Sequence, residues 1–158
     1  MNNKLTNQEM QTFLPYRSFV QSAKVLDYRR LGKQRVEAYQ ILKTLSGESQ
    51  GWQNHPAVKM WKGYELLLAE YGLDMCNEWI ARGYNDSLKP KFLDYMCRYV
   101  SQVNSVRSPH WLGDESFHAS HRSNLLRKDG THYSQFGWTE PPDLEYVWPV
   151  PDFHPLQR

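Results

Sequence analysis

Apolar positions recur every three to four residues through most of this chain, a period that predicts helices rather than strands. The strongest run spans Asp27 to Leu45. Leu31, Ala38, Leu42 and Leu45 fall on one face with Ile41 at its edge, while Arg30, Lys33, Gln34, Glu37 and Thr44 fall on or near another. Asp27 is a good N-cap for this helix and Ser46-Gly47 a good stop. A short helical turn capped by Ser18 is expected before it, over 18–24. After a loop from Gly47 to His55, Pro56 starts a pattern running to about Tyr71, which Gly72 is expected to break before Leu73 to Arg82 continues helically and stops at Gly83. Leu88 to Val103 reads as a further helix, apolar at Phe92, Met96, Tyr99 and Val103. Ser105 to Gly113 reads as a loop, and Asp114 caps a last helix running to about Lys128. From Asp129 onward Gly and Pro dominate, so the tail is expected to be irregular and to wrap the helices, burying Tyr146, Trp148 and Phe153. Residues 1–9 are polar without periodicity and read as a flexible arm. Residues 10–158 read as one domain: an all-α, compact helical bundle with an irregular aromatic C-terminal tail.

Composition narrows this only in part. A chain of 158 residues, 40% hydrophobic and 23% charged, can bury a core and should fold. The net charge of +2 is too small to identify a nucleic-acid partner by itself, so the argument rests on where the charges sit. Six Trp and ten Tyr serve cores and base stacking alike. Cys76 and Cys97 lie beside apolar residues and read as buried free thiols rather than a disulfide. No signal peptide and no membrane-length apolar run are evident, which leads to the expectation of a cytoplasmic protein without a membrane partner. A P-loop, a Rossmann glycine pattern, a nucleophile elbow and zinc-finger spacing are all missing, which argues against ATP-dependent phosphoryl transfer and dinucleotide redox chemistry.

Charge does change the picture locally. From Arg17 to Lys43 there are seven basic residues and two acidic ones. Lys33 and Glu37 stand one turn apart on one face; as a solvated surface pair they would contribute only about 0.3 kcal/mol. Two details favour more than a solvated face. Gly32 inside a strong helix costs about 1 kcal/mol against Ala, so close backbone approach is expected there. Bases, among them Arg30, Lys33 and Arg35, also crowd a single acid, Glu37, a pattern suited to a phosphate-lined site with one proton-handling or cation-stabilising carboxylate. Gln34 shares that face. Asn54-His55-Pro56 is a second candidate: a His just before a helix can donate to an anion, although either Asn54 or His55 can equally be a cap. A third is His118 to Lys128. There His118, His121, Arg122 and Leu125 share a face, Arg127 and Lys128 add charge, and Trp111 and His132-Tyr133 flank the segment as stacking groups, with Trp111 and Tyr133 equally readable as core. Two His three apart can bind a metal, but completing ligands are not evident, so neither metal nor cofactor is expected.

Met10 to Tyr16, Arg30 to Glu37, His55-Pro56-Ala57-Val58 with Met60-Trp61, Trp111 to Lys128 and Tyr146-Val147-Trp148-Pro149 together resemble a family of small bacterial and phage proteins, over almost the whole chain beyond residue 9. That family is distantly similar to the pyrimidine dimer DNA glycosylases of the endonuclease V type. The distant link rests on Leu26-Asp27 ahead of the helix bearing Glu37, on Cys76 to Asn85, and on the late basic segment Arg127 to Tyr133. The resemblance implies an all-helical fold and metal-independent attack on the N-glycosidic bond of a flipped nucleotide. It assigns the sugar-directed glutamate to Glu37. Val36 stands where the dimer glycosylases carry an arginine beside that glutamate. The family's terminal-amine nucleophile does not carry over, because starts at Met1 or Met10 would be followed by Asn or Gln, too large for routine Met removal.

The expected function is therefore a DNA glycosylase for a damaged or modified pyrimidine, its lyase step left open, acting as a monomer on DNA. Glu37, His55, His118 and His121 are the candidate catalytic residues. Arg30, Lys33, Gln34, Arg35, Asn54, Trp61, Trp111, Arg122, Arg127, Lys128 and Tyr133 are the candidate substrate contacts. The alternative is a non-catalytic nucleic-acid or nucleotide-binding module, which predicts steeply salt-dependent binding without base release.

Overall fold

A computed structural model describes residues 10–102 and 107–150. Among them the chain forms seven α-helices and no strand: α1 Phe19–Val25, α2 Tyr28–Leu45, α3 Pro56–Lys59, α4 Glu65–Ala81, α5 Lys89–Val100, α6 Glu115–Lys128 and α7 Gly130–Tyr133, followed by a 3₁₀ turn Ser134–Phe136. Side chains close five helix starts; at α7 Asp129 accepts from the His132 N–H at 3.1 Å. Ser18 accepts from the Gln21 N–H, Asp27 from Arg30, His55 Nδ1 from Ala57, and Asp114 from Ser116, each satisfying an orphan first-turn donor.

The long pattern after Pro56 divides differently from its reading in the sequence. The first helix is a single turn, and the interruption comes near Gly63, where φ is +87°. Gly72 does not break α4. It lies inside a continuous 17-residue helix because the Phe92 ring of α5 packs against its Cα; a Cβ there would come 2.1 Å from Phe92 Cε1. Glycine is present for close packing of two helices, which outweighs its poor helix propensity. Gly32 follows the same logic, since its missing Cβ makes room for Trp79 of α4 at 2.9 Å.

α2 packs most broadly on α4, and α4 also packs on α5 and α1. Their apolar faces (Leu31, Ala38, Ile41 and Leu42; Leu68, Ala69, Tyr71, Met75 and Cys76; Phe92 and Tyr95) join one core. Cys97 departs from expectation: it is exposed on α5, while Cys76 is buried. α5 ends at Val100. The predicted helical Val103, the arm 1–9 and Phe153 lie outside the described residues.

The segment 10–15 has no helical pattern, yet it is buried throughout because side chains supply its backbone partners. Gln11 N–H donates to Glu37 Oε2 and Phe13 N–H to Gln34 Oε1 on α2; Leu14 N–H donates to His121 Nδ1 on α6. The Phe13, Leu14 and Pro15 carbonyls accept from or pair with Tyr71, His118 and Arg122. An extended strut is thus clamped between α2 and α6, meeting the requirement that buried backbone groups be paired. The C-terminal tail is held similarly. Ser123 and Asn124 of α6 bind the backbone of Pro141 and Leu144, and Val147 N–H donates to Ser120 Oγ at 3.1 Å. The tail begins with α7 and the 3₁₀ turn rather than irregularly, and it leaves Tyr146 and Trp148 half-buried against the core. No helix among the described residues is long and apolar enough to cross a membrane.

Candidate active site

The N-terminal half of α2 forms one wall of a cleft of about 610 Å³, lined by Phe13, Asp27, Tyr28, Arg29, Arg30, Lys33, Gln34, Glu37, Lys128, Asp129 and His132. Five residues singled out in the sequence meet here: Arg30, Lys33, Gln34, Glu37 and Lys128. They meet because α2 repeats its face every three to four residues and the C-terminal end of α6 comes alongside.

Glu37 is the most deeply buried carboxylate of the cleft lining. It is only 5% exposed, whereas its i−4 neighbour Lys33 keeps its side chain 53% exposed. Oε2 is occupied by two donors, Gln11 N–H at 3.3 Å and Gln34 Nε2 at 3.0 Å. Oε1 faces the Lys33 ammonium at 3.6 Å, on the side toward solvent. Burial pushes the carboxyl up from 4.5 to about 7; Lys33 and the two hydrogen bonds pull the other way without cancelling it. Gln34 is itself fixed, because its Oε1 accepts from both Phe13 N–H and the Tyr71 hydroxyl. The carboxylate is therefore held by one oxygen and presented by the other.

The rim is cationic. Arg29, Arg30, Lys33 and Lys128 line the cleft, with Asp27 and Asp129 as further acids. Asp27 is engaged internally: it caps α2, pairs with Arg30 at 3.0 Å and accepts from the Tyr133 hydroxyl at 2.5 Å. Burial raises its pKa, but the Tyr133 and Arg30 hydrogen bonds outweigh it and hold it below the ordinary value. His132 meets the Val25 carbonyl at 2.8 Å.

The other sequence-predicted residues lie elsewhere. His118 and His121 grip Leu14 from α6, and burial lowers both, His121 to about 3, so His121 stays a neutral imidazole at ordinary pH. Arg122, between Glu115, Glu140 and the Pro15 carbonyl, is a buried ion-pair hub rather than a surface phosphate ligand. Arg35 pairs with Asp86 behind the helix. Arg127 donates to Asn124 and does not line the cleft. Trp61 and Trp111 pack edge to face in the core at 4.9 Å, with Trp61 Nε1 on Thr12 and Trp111 Nε1 on the Met60 carbonyl. Tyr133 is fully buried and orients Asp27. His55 caps α3 between Trp52 and Trp148, and Asn54 precedes it in an exposed loop. In this fold the faces of Trp61, Trp111 and Tyr133 are taken up by protein and offer no stacking surface to a base.

Five lining residues, Phe13, Asp27, Tyr28, Arg29 and Asp129, are not candidates from the sequence, and His132 is one only as a stacking group. Asp27 and Arg29 carried a signal, one as a cap and the other in the basic run. Phe13, Asp129 and His132 reach the cleft only through tertiary packing. Val36, where the resembled enzymes place an arginine, is 42% exposed and outside the cleft.

One family model, described as pyrimidine dimer DNA glycosylase, matches residues 10–91. That stretch holds the clamped strut, α2 with Glu37, Arg30, Lys33, Gln34 and Arg35, and the α4 helix behind them. Neither a curated protein nor a solved structure matches the chain.

Proposed function

Because this chain belongs to the pyrimidine dimer DNA glycosylase family, we propose that the cleft beside α2 excises a damaged or modified pyrimidine from DNA by hydrolysis at Glu37. The observation that carries the reading is the state of that carboxylate: buried, anchored through Oε2, facing the half-exposed Lys33 through Oε1 and with its pKa raised to about 7. A general base works best when its pKa lies near the operating pH, and such a group contributes roughly 10²–10⁴ in rate.

Arg29, Arg30, Lys33 and Lys128 would hold backbone phosphates around the cleft mouth, which positions the strand without reading sequence. The target nucleotide would leave the stack, at a cost of a few kcal/mol that a weakened base pair lowers. Glu37 Oε1 would then take a proton from water as its oxygen bonds to the sugar C1′, while the C1′–N bond breaks and its electrons leave with the base. The carboxylate also stabilises the positive charge growing on the sugar. The nitrogens at the carboxylate are the Gln34 side-chain amide at 3.0 Å and the Gln11 peptide N–H at 3.3 Å, both on Oε2, and Lys33 Nζ at 3.6 Å from Oε1. The two amides carry no basic lone pair and Lys33 pairs with the carboxylate, so we take water as the nucleophile.

The test is mass-spectrometric detection of free base after incubation with irradiated or pyrimidine-modified duplexes. Wild type should release base and Glu37→Gln should not. A Glu37→Gln protein that releases base at the wild-type rate removes Glu37 from the mechanism. A covalent adduct trapped by borohydride would replace water with an amine, and DNA binding without any base release would assign the cleft to a binding module.

A further inference from the structure

Beside the cleft the surface carries an aromatic pile whose outer end the fold does not require. It starts at Arg35, fixed by Asp86, with its guanidinium 4.5 Å from the Trp79 ring centroid. Trp79 sits against the bare Cα of Gly32 and donates Nε1 to the Asn85 carbonyl at 2.8 Å. Tyr84 stacks on Trp79 at 4.3 Å and 29°. Tyr28 follows, 6.3 Å from Tyr84 and tilted 30°, with the Arg29 guanidinium 5.9 Å from its ring. Exposure rises outward: Trp79 is half-buried, Tyr84 is 41% exposed and Tyr28 51%.

Single exposed aromatics are ordinary. Two adjacent exposed rings, tilted 30° to each other and backed by a ring held between a glycine and a paired arginine, make a preorganised aromatic surface. It is continuous with the cleft, since Tyr28 and Arg29 line both. Nucleobases stack on such rings regardless of sequence, and nearby cations hold the adjoining backbone.

We propose that Tyr28 and Tyr84 form a stacking shelf for an unpaired nucleobase of the DNA bound in the cleft. The inference rests on the DNA reading of the cleft and adds to it a preference for DNA that already carries an unpaired base. Trp79 and Arg35 are positioning residues that hold the shelf level. Tyr28 and Tyr84 would touch the base.

The experiment is fluorescence-anisotropy titration of the full chain with a duplex containing one bulged thymine and with the same duplex fully paired, at several salt concentrations. Wild type should bind the bulged duplex more tightly. Tyr28→Ala and Tyr84→Ala should each weaken bulged-duplex binding about tenfold, within the range for loss of one base–aromatic stack. For Tyr84→Ala, which lies outside the cleft lining, paired-duplex binding and the salt slope should stay unchanged, because no cation is removed. Tyr28→Phe and Tyr84→Phe should restore the preference. Should Tyr84→Ala not fold, Tyr28→Ala at the exposed first position of α2 carries the test alone. Equal binding of both duplexes by wild type, or alanine variants that keep the preference or weaken both duplexes alike, would overturn the shelf and leave the cleft assignment standing. Failure of wild type to bind either duplex at low salt would remove the DNA reading itself.

Discussion

Replacing Glu37 by Gln should stabilise the protein at alkaline pH while abolishing base release. In the unfolded chain the Glu37 carboxyl titrates at 4.5; in the fold, burial raises it to about 7. A raised pKa means that the protonated form is the one the fold favours. That preference is fully present below pH 4.5, where both states are protonated, and it is lost as pH climbs through 7. At about 1.4 kcal/mol per pKa unit, ionised Glu37 costs the fold on the order of 3 kcal/mol above pH 7. Gln keeps the shape and an acceptor oxygen for Gln11 and Gln34 but does not ionise. Glu37→Gln should therefore match wild type at pH 5 and exceed it at pH 8.5, with a higher Tm by about 6–12 °C at this chain size. Thermal or urea unfolding at the two pH values measures this, and comparing variant with wild type at each pH cancels the other titrating groups. Base release by wild type should rise with pH and level off above about 7, because the ionised carboxylate is the working form. A variant less stable than wild type at pH 8.5, or a stability difference that does not change with pH, would refute the buried, raised carboxyl.

His121→Ala should leave the Leu14 N–H without its partner and open a cavity, lowering stability by about 2–4 kcal/mol in chemical denaturation. Base release per folded molecule should persist, since His121 does not itself line the cleft. Gly72→Ala should destabilise by about 1–3 kcal/mol or more through its clash with fully buried Phe92. Gly32→Ala should cost less, because its Cβ would come 2.9 Å from half-buried Trp79, against 2.1 Å from fully buried Phe92 at Gly72; thermal melts rank the two. Arg30→Gln should reduce the slope of log affinity against log salt by about 1, as expected for a lost phosphate contact. Arg122→Gln should leave that slope unchanged and lower the Tm instead, because Arg122 is spent on Glu115, Glu140 and Pro15.

Local features were legible along the chain because they depend on neighbours in sequence. Ser18, Asp27, His55 and Asp114 cap helices where hydrogen-bonding side chains meet the start of an apolar period. The face of α2 that joins Arg30, Lys33, Gln34 and Glu37 follows from helical spacing alone, and the cleft forms along it. The cost of Gly32 correctly signalled a close approach, although not that a tryptophan would make it.

Tertiary structure decided which polar groups line the cleft and which are scaffold. His118, His121 and Arg122 share a face at helical spacing, the same pattern that marks a binding surface. Their partners are backbone groups of Leu14 and Pro15, more than a hundred residues away, so no local pattern shows that the face is buried. Gly72 reads as a breaker until Phe92 arrives from α5. Sequence alone thus determined an all-helical chain with a basic helix carrying one carboxylate. Packing decided the rest, because the pKa of Glu37 is set by desolvation, and desolvation depends on the strut, α4 and the tail closing around α2.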